Sequence, residues 1–529
     1  MESTAQQPQA TQVFGTPIPA NDPHAVSVEF PKWSECIALG NKEPEYANQI
    51  TIAYPRFHFH PFIVQLTRAL AHIHNEDQCL FLLPSFQVVS RCQTHVSRNS
   101  AVTSFAVHEL RGEPLSMNEE AIIYAVVFDR EGLDAGKQFW AHTGEGISSR
   151  RAKYFLDHGY TVSIDGQTEL SVAKSNEEIQ PLGRQAQGSR TLLRTRISYL
   201  HQTDAENVFL YSTGMTALFH TYLLFEAAFN TQEESLPVVL FGFAFKDTPK
   251  LLNSWSRGRC KWFPLGTEEE IDELQDFLVE NTISGLFCEV PSNPLVRTPN
   301  LERICELSFK HKFPVCVDDT LGFVTNIDTS PYSDVVITSL TKVFNGRCNA
   351  MGGSLVLNKA GPYFSRFRSL LEDRYSDDVW IEDILTMELN SRDVQQRVAI
   401  VNANTEQLVD HLRSHPLVKH VYYPKGSSTQ ANYETVRRPD GGYGGLFTLT
   451  FVEPKLSEQF YDALEVYKGP SLGIYSTLVC PYALGAHFDE LEMVEGYGVS
   501  RYIVRVSVGL ESKQELFSIF DRALARLSL

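Results

Sequence analysis

From about residue 195 the chain alternates two textures. Short apolar runs, LPVVLFGFAF (236–245), ISGLFCEVPSN (283–293), KFPVCVDDT (312–320) and SDVVITSLTK (333–342), end in small or polar residues. Stretches with helical spacing, EEEIDELQDFLVEN (268–281) and LERICELSFKH (301–311), separate some of them. NVFLYSTGMTALFHTYLLF (207–225) reads as a strand, a small-residue turn and a helix. Strands alternating with helices predict an α/β fold whose mostly parallel sheet is covered on both faces. Such sheets bind ligands at the carboxyl ends of their strands, so each run's polar terminus is a candidate site residue.

The flanking regions differ. Residues 1–20 are polar and are expected to form a disordered tail. Residues 21–160 read as an N-terminal extension with helix-like and strand-like pieces, among them AIIYAVVF (121–128), a buried strand by its β-branched composition. The polar stretch 165–190 lacks large apolar residues, and 161–194 is expected to be an arm or linker. A large domain is assigned to 195–384. In 385–529 a long helix pattern (392–415) precedes GGLFTLTF (444–451), YIVRVSVGL (502–510) and a closing helix (512–527), the texture of a smaller α/β domain.

Composition narrows the class. A chain of 529 residues has material for two to four domains at about 150 residues each. The net charge of −18, without a basic stripe, argues against nucleic-acid binding. Nine irregularly spaced cysteines with no CxxC fit a reduced, cytoplasmic compartment. No basic leader or membrane-length apolar run is visible.

Three strand ends carry chemistry. STGMTA (212–217) could bring backbone N–H groups and a helix N-terminus to an anion; read alone, it is a tight turn capped by Thr213. VDDT (317–320) places two carboxylates where a buried aspartate needs a cation; read alone, it is a solvated strand end. TSLTK (338–342) presents Lys342 beside Ser339 and Thr341; most such lysines are simply exposed. Together they supply what pyridoxal 5'-phosphate (PLP) requires: a phosphate anchor, a partner for the ring nitrogen and a Schiff-base lysine. No GxGxxG follows a strand and no Walker A loop occurs. The HFH (58–60) and HIH (72–74) pairs match no zinc spacing, so no metal is expected.

Larger segments carry a family resemblance. DVVITSLTKVFNGRCNAMGGSLVLN, CEVPSNPLVRTPNL and IVRVSVGLE resemble signatures of the Cys/Met-metabolism PLP enzymes. FGTPIPANDPHAVSV, YPRFHFHP, GEGISSRRA, NSRD, GGYGGLF and GPSLG resemble that family's fungal cystathionine gamma-synthase branch. The resemblance implies a fold-type I PLP-dependent transferase that works as a homodimer or homotetramer on amino-acid substrates. It makes Lys342 the Schiff-base lysine and Asp318 the ring-nitrogen partner. Gly214, Met215, Ser339 and Thr341 become the phosphate cradle, with Thr320 also at the cofactor. Asn293, Ser471 and Arg505 become substrate contacts, Arg505 forking onto the α-carboxylate. Phe241, in FGF, stands for the ring-stacking tyrosine of the wider family. The family's Y-x-R phosphate clamp is not recognised, and Arg184, in LGR, is taken as its stand-in. Tyr475, in GIYSTL, is read as a residue that reshapes the substrate pocket.

The implied activity is γ-substitution on an activated L-homoserine, an O-acyl or O-phospho ester, with L-cysteine giving L-cystathionine. Three alternatives stay open: a specialised-metabolism enzyme joining O-acetylhomoserine to a carbon or other nucleophile, a lyase running the reverse direction, and a catalytically inactive binding or regulatory homologue.

Overall fold

The computed structural model describes residues 11–115, 120–163, 169–171, 182–230 and 235–529. A seven-stranded sheet forms its centre, in the order Cys260–Phe263, Val238–Phe241, Gly285–Glu289, Val315–Asp318, Val335–Ser339, Gly353–Leu357, Val208–Tyr211. The strands from Cys260–Phe263 to Val335–Ser339 run parallel; Gly353–Leu357 runs against both its neighbours. Alternate residues feed two cores. Leu240, Phe287 and Leu355 meet Phe219 and Phe225 of the helix Gly214–Phe229 on one face. Val239, Leu286 and Val317 meet Ile271 and Ile304 of the helices Glu268–Glu280 and Leu301–His311 on the other. Both faces being covered is why these strands read as unbroken apolar runs. Each fully buried large side chain contributes roughly 1.5–3 kcal/mol.

The run 236–245 does not stay in the sheet. Its strand stops at Phe241, and Gly242, at φ +83°, turns the chain out of the ladder. Phe243 to Phe245 therefore belong to the loop at the carboxyl edge.

A second, five-stranded sheet holds Val418–Tyr422, Leu446–Phe451, Val504–Ser507, Leu478–Cys480 and Tyr467–Lys468 in that order. The helices Val394–Arg413, Pro454–Ala463 and Lys513–Leu524 pack on it around Leu408, Phe460 and Phe520. A third sheet, antiparallel, lies near the N-terminus: Gln78–Leu83, Ile122–Asp129, Ala106–Gly112, Tyr160–Ser163 and Glu169–Ser171. The apolar run 121–128 is its Ile122–Asp129 strand, paired on both sides and sealed into its own core.

Two expectations change. Residues 1–10 lie outside the described residues, but the rest of the expected disordered tail is built in: Pro17–Ile18 pairs with Ser27–Val28. The chain then crosses the C-terminal domain. Tyr461 donates its hydroxyl proton to the Phe30 carbonyl, Lys468 Nζ donates to the Pro31 carbonyl at 2.9 Å, and Trp33 and Cys36 join the C-terminal core. The expected arm falls partly on residues not described, and its end forms the start of a long helix, Leu182–His201.

Candidate active site

The carboxyl edge of the central sheet gathers the polar termini. Glu289 and Asp318 end neighbouring parallel strands in register, and Ser339 ends the next. The helix Gly214–Phe229 aims its N-terminus at the same edge, with Thr213 as cap accepting from the Thr216 N–H at 3.0 Å. A cavity of about 430 Å³ opens there, within the roughly 300–1,000 Å³ typical of small-molecule sites. Gly214, Met215, Glu289, Asp318, Thr320, Ser339, Lys342 and Arg505 all line it.

Approach at the helix N-terminus is close. A Cβ on residue 214 would stand 2.6 Å from Ser339 Cβ, so only glycine lets the helix end abut that strand end. Ser339 N donates to Thr320 Oγ1 at 2.8 Å, and Thr320 N donates to Asp318 Oδ1 at 3.0 Å, tying the two strand ends together. Burial raises the Asp318 pKa, the Thr320 hydrogen bonds opposing it. Among the described residues no cation pairs with Asp318. Its neighbour Asp319 points elsewhere and accepts from the Thr338 hydroxyl at 2.5 Å. Burial, reinforced by Asp318, pushes Glu289 well above the usual carboxylate range; Glu289 Oε2 accepts from the Phe245 N–H at 2.7 Å.

Lys342 Nζ donates to Ser471 Oγ at 3.2 Å and stands 4.5 Å from the centre of the Tyr54 ring. Arg505, on the strand Val504–Ser507, is held on several sides. Nη1 donates to Asn293 Oδ1 at 3.1 Å, and Nη2 donates to the carbonyls of Pro470 and Ser471 at 3.0 Å each. Its guanidinium lies 4.6 Å over the Tyr482 ring, whose hydroxyl accepts from Asn293 Nδ2 at 3.1 Å. Three bonds leave two of arginine's five N–H protons for a ligand.

Several sequence readings are corrected. Phe241 does not reach the cavity; it is fully buried in the sheet core, 6.0 Å from Phe263. The ring on the cavity wall is Phe245, delivered there by the turn at Gly242. Thr341 is turned away: its hydroxyl donates to the Gly352 carbonyl at 3.3 Å and accepts from the Gly352 N–H at 3.1 Å. Tyr475 also lies outside this cavity, its ring 4.4 Å under Arg347 and 4.8 Å under Arg397 and its hydroxyl on Asp393. The side chain of Arg184 lies outside the described residues.

Tyr54-Pro55-Arg56, which carries the Y-x-R spacing itself, is a better candidate for the clamp than Arg184. Tyr54 and Arg56 line the cavity of their own chain. Arg56 Nη1 pairs with Asp247 Oδ2 at 2.8 Å and donates to the Ala141 carbonyl, while the buried Nε has no partner. Burial would raise the Tyr54 pKa, but the Lys342 and Arg56 charges and the Arg56 hydrogen bond outweigh it and lower it. Glu289, Phe245 and Tyr482, which no sequence motif singles out, also line the cavity. Among the described residues no group of His, Cys, Asp and Glu could hold a metal ion, and no helix is long and apolar enough to cross a membrane.

The residues present fit a phosphorylated pyridine aldehyde. A buried carboxylate without a cation faces a cavity that also holds a lysine amine. The glycine helix start, the Ser339 hydroxyl and the orphaned Arg56 Nε suit a phosphate.

Comparison with known proteins agrees. The family described as Cys/Met metabolism PLP-dependent enzyme matches residues 160–525, and the fungal trans-sulfuration enzyme N-terminal domain matches residues 62–148. Cystathionine gamma-synthase of Neurospora crassa is 32% identical over 97% of this chain and 98% of its own. The cystathionine gamma-synthase-like enzyme iboG1 of Amanita muscaria is 34% identical over 97% of each. A cystathionine gamma-synthase crystal structure from Xanthomonas oryzae pv. oryzae, in complex with cystathionine, shares the fold at TM-score 0.55 and 20% identity, covering 67% of this chain and 90% of that one.

Proposed function

The chain belongs to the Cys/Met metabolism PLP-dependent enzymes, and on that premise we propose that it catalyses γ-replacement on an activated L-homoserine with L-cysteine as acceptor, yielding L-cystathionine. One observation carries the reading: a cation-less buried Asp318, the Lys342 amine and the half-filled Arg505 fork share one cavity. The full-length likeness to fungal cystathionine gamma-synthases supports the choice of reaction.

Bound PLP supplies an electron sink for negative charge that develops on the substrate carbon next to the amine. The Gly214 helix N-terminus, Ser339 and Arg56 would hold its phosphate, Asp318 its ring nitrogen and Lys342 its aldehyde carbon, with Phe245 as a wall. Arg505 offers its two open N–H groups to the donor's α-carboxylate, and Asn293, Pro470 and Ser471 keep that fork from turning. The Lys342 amine, once free, takes the proton from Cα and then moves a proton at Cβ. Ser471 Oγ, 3.2 Å away, orients the amine between these tasks. Loss of those protons lets the ester oxygen leave Cγ; the cysteine thiol bonds to Cγ in its place, its proton leaving with the acid or phosphate, and the Lys342 amine returns one proton to Cβ and one to Cα. Burial, reinforced by Asp318, raises the Glu289 pKa and so favours its neutral form.

Because Tyr475 lies outside the cavity, it gives no ground for a reshaped acceptor pocket, and cysteine is the acceptor favoured here. The resemblance further implies a homo-oligomer and a cytoplasmic location, which light scattering and cell fractionation test. The activity itself is tested by incubating the enzyme with O-acetyl-, O-succinyl- and O-phospho-L-homoserine and cysteine, sulfide, a β-keto acid or an amine. Cystathionine by mass spectrometry is expected; failure of every ester refutes γ-replacement. Lys342→Ala should abolish both turnover and the visible absorbance of the purified protein.

A further inference from the structure

One loop of the C-terminal domain, residues 470–475, touches both arms of the site. The Pro470 and Ser471 carbonyls accept from Arg505 Nη2 at 3.0 Å each, and Ser471 Oγ accepts from Lys342 Nζ at 3.2 Å. The loop is fastened to the strand that carries Arg505, because Gly473 N donates to Ser507 Oγ at 2.8 Å. It then crosses behind the turn that follows Lys342. There Tyr475 N donates to the Gly346 carbonyl at 2.9 Å, and Leu510 N donates to the Tyr475 carbonyl at 2.7 Å.

The Tyr475 side chain closes on the same turn from the side away from the cavity. Its ring lies 4.4 Å from the Arg347 guanidinium and 4.8 Å from that of Arg397. Its hydroxyl donates to Asp393, 3.0 and 3.1 Å from the two carboxylate oxygens, and Asp393 Oδ1 also accepts from Arg397 Nε at 2.8 Å. Arg397 is buried and grips the turn itself, Nη1 donating to the Val343 carbonyl at 2.8 Å and Nη2 to the Phe344 carbonyl at 2.9 Å. The fit leaves no slack. At Gly346, with φ +69°, a Cβ would stand 2.5 Å from Arg397 Nη1 and 2.9 Å from Tyr475 Cε2. A cavity of about 40 Å³, lined among others by Val343, Arg397, Gly473 and Tyr475, gives a released turn room to shift.

We propose that Tyr475 is a positioning residue for Lys342. With Arg397 it pins the backbone of residues 343–346, and so fixes the direction from which the Lys342 amine meets the Cα proton of a donor held by Arg505. The ring touches no substrate; it acts through the turn, with Asp393 and the two guanidinium groups holding it in place. The proposal rests on the reading of Lys342 as the group that moves the Cα proton, whereas the grip on the turn stands on the contacts alone.

Two measurements on holoenzyme test it. Exchange of the Cα proton of L-norleucine, which has no leaving group, is followed by NMR in deuterium oxide and expressed per bound PLP. Backbone hydrogen exchange over residues 342–347 is read by mass spectrometry. Tyr475→Ala should slow Cα exchange about tenfold or more at nearly unchanged norleucine affinity, because Arg505 keeps its partners while the amine loses its aim. It should also speed amide exchange at Asn345 and Gly346, whose N–H groups donate to the Leu340 and Lys342 carbonyls at 2.9 Å each. Tyr475→Phe keeps the ring against both guanidinium groups and should stay within about twofold of wild type in both assays. A residue that only stabilised the fold would lower the melting temperature and the PLP content of Tyr475→Ala without changing Cα exchange per bound PLP, and that result overturns the proposal. So does a Tyr475→Phe enzyme as slow as Tyr475→Ala. If the wild-type enzyme exchanges no Cα proton while Tyr475→Ala still frees the turn amides, Lys342 loses its proton-moving role and the grip of Tyr475 on its turn stands.

Discussion

Gly214→Ala tests whether the helix start is built to meet an anion. The added methyl would lie 2.6 Å from Ser339 Cβ and 2.9 Å from Ser339 Cα, against the roughly 3.5–4.0 Å of ordinary carbon contact. One of the atoms at fault is backbone, so the helix end or the strand end must move by about 1 Å. Two effects oppose each other. Alanine is a better helix former than glycine by up to about 1 kcal/mol in a helix interior, and by less at a first position such as this. Forcing a methyl into a packed site costs about 1–3 kcal/mol. The clash therefore wins, and the apoprotein should lose about 1–2 kcal/mol of stability. Backing the helix away also withdraws backbone N–H groups from the anion, and losing one charge-assisted bond weakens binding about tenfold or more. The assay is titration of apoenzyme with PLP and with pyridoxal, which has no phosphate. Gly214→Ala should weaken PLP and leave pyridoxal much less affected, with a lower melting temperature. If the variant melts higher and keeps the full difference between the two ligands, the helix start is not the phosphate site.

Arg505→Lys removes a fork that fills three acceptors with fixed geometry, so KM for the amino-acid donor should rise about ten- to hundredfold, with a smaller fall in kcat, in steady-state kinetics. His60 accepts from the Phe62 N–H through Nδ1 and meets the Pro23 carbonyl through Nε2, and burial lowers its pKa to about 4. Below about pH 6.5 the unfolded chain binds the proton first, so stability present at pH 7 is lost as the pH falls toward 4. Thermal melts should show His60→Gln close to wild type at pH 7 and less sensitive to acid at pH 5. Trp140 Nε1 donates to the Pro55 carbonyl at 3.0 Å in a buried site, so Trp140→Phe should cost about 1–3 kcal/mol and loosen PLP by releasing the segment that carries Arg56, read by melting and cofactor titration.

Much of the fold was legible because local pattern and burial agree. The period-two division of Val238 to Phe241 between two cores is written as an apolar run, and the helices between runs carry their own spacing. That Gly214, Asp318, Ser339 and Lys342 meet at one cavity was legible because strand ends and helix starts are marked by residue type, whereas Arg505, inside a strand, was marked only by the resemblance. Phe241 failed for a three-dimensional reason. FGFAF offers equivalent aromatics, and only the turn at Gly242 decides that Phe245 reaches the cavity. Thr341 failed because a hydroxyl two residues from Ser339 found backbone partners at Gly352. Tyr54 and Arg56 were readable as a Y-x-R triplet. Nearly 300 residues separate them from Lys342, so only the fold shows that they share its cavity.

That separation explains the architecture of the N-terminal third. The chain leaves the cavity wall at Arg56 and folds the sheet that begins at Gln78, with a core of its own around Phe81, Phe128 and Phe139. It then returns beside its point of departure. Trp140 and Ala141 bond to Pro55 and Arg56, and the Gly144 carbonyl accepts from the Ser212 hydroxyl at 3.2 Å, next to the helix start at Gly214. Beyond this return, Arg150 on the helix Ser149–His158 pairs with Asp383 at 3.0 Å and ties the region to the large domain. The chain then rejoins the N-terminal sheet through Tyr160–Ser163 and Glu169–Ser171, so the contact at Trp140–Gly144 ties the middle of the domain to the cavity wall. It also places the site's cations under that domain's control. Arg56 is gripped by a carbonyl of the returning helix Leu133–Thr143 and by Asp247 of the central domain, so its unpaired Nε is aimed by both. Loss of packing in the N-terminal core should then reach the cofactor through the Tyr54–Arg56 segment, while the Lys342 contact with Ser471 lies outside that core.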